Sequence, residues 1–315
     1  TVFRFSSTSG PFTTEFSKRI TYHKHTQKAL YRENGIPVPV GMLTSKNTVK
    51  ADIERLNADF RTARFVIKPY DGSLARDTYV DKTADEILAL AENFPADEFM
   101  LEEFVSGPEY RFTVVDGRCV GVFERRAPYV VGDGRSSVEQ LISQKNEIRK
   151  KNPFLSSKLI ETKKLFDDEA ERNQVLANIP VDGEMVTLSN LQRVGAGGEP
   201  WDVTQVMPQE FKDIAVSVCN SIQARNAGID IIIGSLEDGG SALVLEANIR
   251  HHIEGHSFCE NKDIWDNAVA EAIVDMYFPE TKKFTRHVNA VFDHNKMRRA
   301  LQAQCFSAMH LPKLD

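Results

Sequence analysis

Along this chain, apolar positions either recur at helical spacing or gather in short runs, and the two patterns predict helices and strands intermixed. The stretch HKHTQKALYRENG (23–35) reads as a helix closed by Gly35, with Pro37 and Pro39 behind it. RFVIKPYDG (64–72) is an apolar run entering a turn, the pattern of a strand. DKTADEILALAENF (81–94) predicts a helix, with Thr83 as N-cap and Glu86 three residues on. The segment 98–126 predicts two strands around a hairpin at VDGR. Residues 138–172 are charge-rich and predict helix with a solvated face and no site. EMVTLSN (184–190) and DVT (202–204) flank the glycine-rich VGAGGEP. An amphipathic helix is expected over 210–228, ended by Gly228, then a hairpin of two apolar strands over 229–248 around EDGG. A further helix is expected at 266–278, and the tail 283–315 reads as helical at NKMRRALQAQCFSAM. Residues 1–20 are rich in Ser and Thr and weakly patterned, and no internal repeat stands out. Hairpins mixed with helices predict an α+β chain with antiparallel sheets, not a doubly wound parallel sheet.

Bulk properties narrow the function classes. A length of 315 residues suits two or three compact units, and 41% apolar with 27% charged residues is ordinary for a globular protein. The formal net charge of -6 argues against nucleic-acid binding by bulk electrostatics. No apolar stretch reaches the length of a membrane span, and no signal-peptide pattern opens the chain. Neither a nucleic acid nor a membrane is therefore expected as a partner. Cys119, Cys219, Cys259 and Cys305 are far apart without a CxxC pair, so free thiols in a reducing, cytoplasmic setting are expected. The chain opens on Thr1, which suggests trimming or excision from a longer protein.

LVLEANIRHH (243–252) carries the first chemical signal. Strand geometry points Glu246 and Asn248 to one face. Either the strand simply meets water there, or the pair offers oxygen ligands to a hard cation. Asp230 begins the partner strand of the expected hairpin, so all three oxygens can converge at one sheet end. Two carboxylates and an amide suit Mg²⁺ better than zinc. A magnesium site calls for phosphate and for cations to hold it. Lys68 ends an apolar strand and is either a cleft residue or a surface lysine; Lys24 on the 23–35 helix is a second candidate. The DGSLARD turn (71–77) could present backbone N–H groups to phosphate. His251, His252 and His256 raise a zinc reading against the alternative of facing substrate or solvent.

These motifs, taken in order, resemble the ATP-grasp superfamily of carboxylate–amine ligases. The likeness is nearest to the ligase modules of cyanophycin synthetase and the fused bacterial glutathione synthetase. It rests on KxxxKxLxxxxGIPVPxG at Lys24 to Gly41, VxKPxDG at Val66 to Gly72, and EExxxGxEYR at Glu102 to Arg111. VVGDGRSSVEQLI (130–142), GG…DVT at Gly197 to Thr204, AGID and LEAN complete the set, and SGPE also resembles D-alanine–D-alanine ligases. The resemblance implies an α+β ATP-grasp fold, two subdomains with antiparallel sheets clamping ATP between them. It implies ATP and two Mg²⁺ ions, with Mn²⁺ as a substitute, and a peptide or amide bond formed through an acyl phosphate. Lys24 and Lys68 would hold phosphates, Glu102 would accept from the adenine amine, and backbone at Glu103, Phe104 and Val105 would form the hinge. Glu109 would bind the ribose, and Arg111 and Arg125 would face the acyl phosphate or the substrate carboxylate. RRAPY aligns through either Arg125 or Arg126. Asp230, Glu246 and Asn248 would bind the metal.

The organisation that follows is a short N-terminal segment (1–40), a lid (41–104), a C-terminal subdomain with the metal site (105–282) and a helical tail (283–315). Partners would be a small-molecule acid and an amine, amino acids or a peptide among them. The N-terminal substrate domain usual in the family is nearly absent, so a homodimer mate, a fused domain or a partner chain would supply it. The chain also departs from the pattern. Ala75 and Asp77 replace two phosphate-loop glycines, NIRHH replaces NxxPG, and RVGAGG replaces NLSxGG. A non-catalytic nucleotide-binding or regulatory module and an ATP-grasp kinase are the alternative readings.

Overall fold

A computed structural model of the chain describes residues 6–71, 77–166, 168–189, 192–236, 240–262 and 267–280. The helices are α1 (Glu15–Tyr22), α2 (Lys24–Glu33), α3 (Val49–Phe60), α4 (Ala84–Glu92), α5 (Val138–Arg149), α6 (Glu169–Ala177), α7 (Gln209–Ser221), α8 (Glu254–Ser257) and α9 (Ala268–Tyr277). The strands are β1 (Gly41–Ser45), β2 (Phe65–Lys68), β3 (Tyr79–Lys82), β4 (Glu98–Glu103), β5 (Glu109–Val115), β6 (Arg118–Arg126), β7 (Tyr129–Val131), β8 (Met185–Thr187), β9 (Glu199–Asp202), β10 (Asn226–Ile233) and β11 (Ala242–Asn248). The chain forms two compact units, Thr1–Val120 with Val206–His252, and Gly121–Gln205 with Ile253–Asp315. The expected tail helix and most of the DGSLARD turn lie outside the described residues, as do the first three residues of the EDGG tip of the hairpin. Among the described residues, no helix is long and apolar enough to cross a membrane.

The first unit contains two antiparallel sheets. One runs β1-β4-β2-β3 and is backed by α3 and α4. Its core is Val49, Ile53 and Leu56 of α3, Ile87 and Ala91 of α4, and Phe65, Ile67, Phe99 and Leu101 of the sheet. Strand alternation sends Phe99 and Leu101 into this core, so Met100 and Glu102 face the other way. The expected cap of α4 is present: Thr83 Oγ1 accepts from Glu86 N, and the Glu86 carboxylate accepts from Thr83 N. In the other sheet β10 lies between β5 and β11, both antiparallel to it, and α7 packs against all three.

Two expectations change here. The segment 98–126 holds three strands, not two. The VDGR hairpin joins β5 to β6 with positive φ at Asp116 and Gly117, as a tight turn requires. Glu98–Glu103 is a separate strand of the four-stranded sheet, because Gly107, at φ +147, and Pro108 break the run. The helix over 210–228 also stops early. Gln223 adopts a left-handed φ of 52, and Ala224 N donates to Cys219 O at 2.9 Å, a Schellman-type stop without glycine. Gly228 is a buried strand residue instead. A Cβ there would come within 2.7 Å of His251 Cβ and 3.0 Å of Arg111 Nη1.

In the second unit, β7 and β8 pair over α5, with Val130, Val138, Leu141, Ile142, Ile160 and Leu188 as core. VVGDGRSSVEQLI is the scaffold of this corner. Asp133 accepts from the amides of Arg135 and Ser136, and Ser137 caps α5 in a box with Gln140. The stretch 138–172 keeps its solvated face but is α-helical only in α5 and the start of α6, and α5 also turns charged residues inward. Arg149 is fully buried and donates to Lys158 O and Gly198 O, and both Lys145 and Arg149 pair with buried Glu199. A carboxylate arriving from β9, distant in sequence, draws those cations inward.

Leu56 is fully buried in the α3–α4 layer. Leu56→Ala is expected to cost about 2–5 kcal/mol by leaving a cavity, measured by urea unfolding of the whole chain.

Candidate functional site

The site grows from the turned face of β4. Gly41 and Val66 are the cross-strand neighbours of Glu102 on β1 and β2. A Cβ on Gly41 would sit 2.6 Å from Glu102 Cγ, so glycine there makes room for the carboxylate to turn in. Glu102 is 2% exposed. Its Oε2 accepts from Lys28 Nζ at 3.0 Å and from Lys68 Nζ at 2.8 Å. Oε1 is buried and accepts no hydrogen bond among the described residues. Burial pushes the Glu102 carboxyl up, and Lys28 and then Lys68 more than reverse this, leaving it at about 2. Burial pushes the Lys28 ammonium down and Glu102 opposes it, leaving it at about 8.

Helix α2 delivers three of the side chains involved. Lys24 and Lys28 are one turn apart and share a face. Lys24 Nζ is 3.4 Å from Asp71 O. Burial pushes the Lys24 ammonium down; Glu246, Asp71 and Glu102 pull it up, while Lys68 pushes it further down. Those four groups therefore lie within electrostatic reach of Lys24, which joins the β4 carboxylate to the end of β11. Gln27 fixes that junction mechanically. Its Oε1 accepts from Ala247 N at 2.9 Å, between Glu246 and Asn248, and from Tyr31 Oη at 3.0 Å.

The sheet end brings Asp230, Glu246 and Asn248 together. Asp230 is the direct cross-strand partner of both Glu246 and Arg111, with a bulge beside it. Asn248 Nδ2 donates to Glu246 Oε1 at 2.9 Å, which leaves Asn248 Oδ1 and Glu246 Oε2 outside that bond. Arg111 grips Asp230 through Nε to Oδ1 and Nη2 to Oδ2, the latter at 2.7 Å. Among the described residues no group of three or more His, Cys, Asp or Glu is placed to hold a metal. The oxygen set here is two carboxylates and an amide, and it fits a hard divalent cation in donor type. Half-buried Glu246 and Asn248 fit as they stand; Asp230 is buried and already accepts from Arg111 through both oxygens.

The other expected residues are placed as follows. Glu103 accepts from Val40 N at 2.7 Å and donates its own amide to Val40 O, while Phe104 N donates to Arg64 O. These contacts fasten the segment Glu103, Phe104, Val105 to the four-stranded sheet. Glu109 begins β5, half-buried, opposite Ile232. Arg125 lies on β6 in the second unit, opposite Pro200, and its neighbour Arg126 covers the Trp201 ring at 3.8 Å. His251 is buried with Nδ1 3.3 Å from Thr8 Oγ1, His252 is exposed, and His256 packs edge-on to Phe123 in the second unit. Sequence reasoning missed Lys28 and Gln27. Lys28 was legible as the second lysine of KxxxK, on the face of Lys24; nothing in the sequence marks Gln27.

No family model matches the chain. The bifunctional glutathione biosynthesis protein GshAB of Clostridium perfringens is 29% identical over 283 residues, which is 82% of this chain and 34% of that protein. GshAB of Streptococcus mutans is 31% identical over 253 residues, 75% of this chain and 33% of that protein. The chain thus spans about a third of the length of these curated relatives. Among solved structures, the bifunctional glutathione synthetase from Pasteurella multocida superposes with a TM-score of 0.63 at 24% identity, covering 87% of this chain and 38% of that one. D-alanine–D-alanine ligase from Bacillus anthracis superposes at 0.50 with 15% identity, covering 86% and 72%. Both structural likenesses are likenesses of fold.

Two outcomes test the electrostatics. The folded Glu102 carboxyl, at about 2, lies below its ordinary 4.5, so between these values the unfolded chain binds more protons and stability falls with acidification. Glu102→Gln is expected to be less stable than the parent at pH 7, with the gap closing as pH falls from about 4.5 towards 2; urea unfolding across that range reads it. Arg111→Met strands a buried carboxylate and is expected to cost about 3–5 kcal/mol, whereas a near-neutral result would mean Asp230 is solvated.

Proposed function

We propose that this chain, which has the ATP-grasp ligase fold and is homologous to the C-terminal part of the bifunctional glutathione synthetases, is an ATP-dependent carboxylate–amine ligase. It forms an amide or peptide bond through an acyl phosphate, on amino acid or peptide substrates. The observation that carries this reading is that one helix, α2, sets Lys24 and Lys28 beside the Glu102–Lys68 pair and, through Gln27, holds the strand end that carries Glu246 and Asn248. Such a cluster pairs cations for phosphates with a buried acceptor and an oxygen-donor sheet end.

In this reading Lys68 and Lys24 bind the phosphates of ATP, and Glu102 with the Glu103–Val105 segment receives the base. Glu109 stands at the ribose, and Arg111 and Arg125 serve the acyl phosphate or the substrate carboxylate. Mg²⁺, two ions with Mn²⁺ as substitute, would be held by Glu246, Asn248 and Asp230 and would supply charge neutralisation to the transferring phosphoryl group. The substrate carboxylate takes the γ-phosphoryl group, and the amine then displaces phosphate. The lysines spread the charge that builds on the phosphoryl oxygens. The four-stranded sheet over 41–104 acts as the lid that keeps water from the acyl phosphate. The second substrate site would be completed by a dimer mate, a fused domain or a partner chain, as the chain matches only 34% of its Clostridium perfringens relative.

Hydroxylamine provides the test. With ATP, Mg²⁺ and a panel of amino acids and short peptides, the protein is expected to give a hydroxamate and ADP. Free phosphorylated product without hydroxamate across the panel would mark a kinase, and no ATP turnover at all a binding module. Glu246→Gln is expected to cut hydroxamate formation about a hundredfold or more while retaining most nucleotide affinity, because it removes charge stabilisation needed most in the transition state. Unchanged turnover would remove Glu246 from the metal set.

A further inference from the structure

The two lysines on Glu102 are not equivalent. Lys68 is on the strand next to β4 and, at 12% exposed, keeps some access to solvent. Lys28 is 1% exposed, held between α2 and β4. Both donate to the same oxygen, Oε2, while Oε1 remains buried without a hydrogen bond among the described residues. A buried acceptor left open is costly unless a donor arrives. Lys68 can be drawn to an incoming phosphate; Lys28 has nowhere else to go. Once Lys68 leaves, Lys28 alone keeps the carboxylate ionised.

We infer that Lys28 is a specificity-determining positioning residue: it pins Glu102 through Oε2 so that Oε1 is presented as a permanent anionic acceptor. The site therefore takes a purine nucleotide with an exocyclic amine at that point and rejects one with a keto oxygen. This rests on the ATP-binding reading above. A keto oxygen would meet Oε1 lone pair to lone pair, whereas an amine donates a charge-assisted hydrogen bond. A protonated Glu102 would lose the distinction, because a carboxylic acid both donates and accepts. The charged groups around the carboxylate are Lys28 and Lys24 of α2, Lys68 of β2 and, beyond Lys24, Glu246 of β11 and Asp71.

Equilibrium binding of MgATP and MgGTP, by calorimetry from pH 5 to pH 8, tests this without catalysis. The parent chain is expected to prefer ATP by at least about tenfold, the scale of a hydrogen bond to a charged group, with the preference flat across that range. Lys28→Met is expected to lose most of the preference, and the residual preference to shrink as pH falls and Glu102 takes a proton. If Lys28→Met does not fold, Lys28→Met/Glu102→Gln removes the fully buried ion pair at nearly constant volume and leaves only Lys68, which is 12% exposed. It is expected to bind the two nucleotides alike at every pH, since an amide can turn either its oxygen or its nitrogen to the base. Equal losses for ATP and GTP in the single variant, or an intact preference in the double variant, would overturn the inference. A parent chain that binds both nucleotides alike overturns it too and leaves the ligase reading standing. A parent chain that binds neither overturns both.

Discussion

A buried carboxylate between two ammonium groups is the constraint on which the rest of this site depends. Glu102, Lys28 and Lys68 are held out of water on the face of β4 opposite the apolar core. Three charges cannot be buried there unless each is paired, so the strand, its neighbour β2 and helix α2 have to meet in one arrangement. Gly41 provides the room on the β1 side. The alternation of β4 supplies the direction, with Phe99 and Leu101 fixing one face and so fixing the other.

Helix α2 carries this constraint across to the second sheet of the same unit. One of its buried faces holds Lys24, Gln27, Lys28 and Tyr31. Gln27 takes the Ala247 amide of the edge strand β11, and Val244 N donates to Pro37 O just past the helix, so an open strand edge is covered as well as anchored. The lysines of the Glu102 cluster and the oxygen donors of Glu246 and Asn248 are thus tied to one short helix. Its amphipathic pattern has polar residues on the buried side, which is the reverse of what core packing alone would select.

Arg111 and Asp230 show a different logic. They face each other across β5 and β10 and neutralise each other at the sheet end. Such a pair costs little as a unit and much when split. It keeps the β10 carboxylate in place beside Glu246 without leaving two like charges unrelieved on neighbouring strands. Gly228 allows Arg111 to lie against β10, so the glycine of AGID serves packing as directly as the aspartate serves charge.

The sequence by itself determined the elements whose signal is local. The capping box of α4, the tight turn at Asp116–Gly117, the apolar strands around Asp230 and Glu246, and the α+β mixture are all written in spacing and turn chemistry. The pairing of Glu246 with Asn248 was legible for the same reason, since strand period alone puts them on one face. What only the tertiary structure decided were matters of which charge meets which. The KxxxK spacing put Lys28 on the face of Lys24, but that its partner is Glu102 was decided only when β4 came to it across 74 residues. Nothing in the charge-rich 138–172 stretch singled out Lys145 or Arg149 as inward-facing before β9 brought Glu199. The end of α7 was hidden because a glutamine, not a glycine, takes the left-handed turn. The physical reason is the same in the charge cases: period and propensity specify a face, but the partner that makes burying a charge tolerable comes from a distant segment, and no local pattern records it.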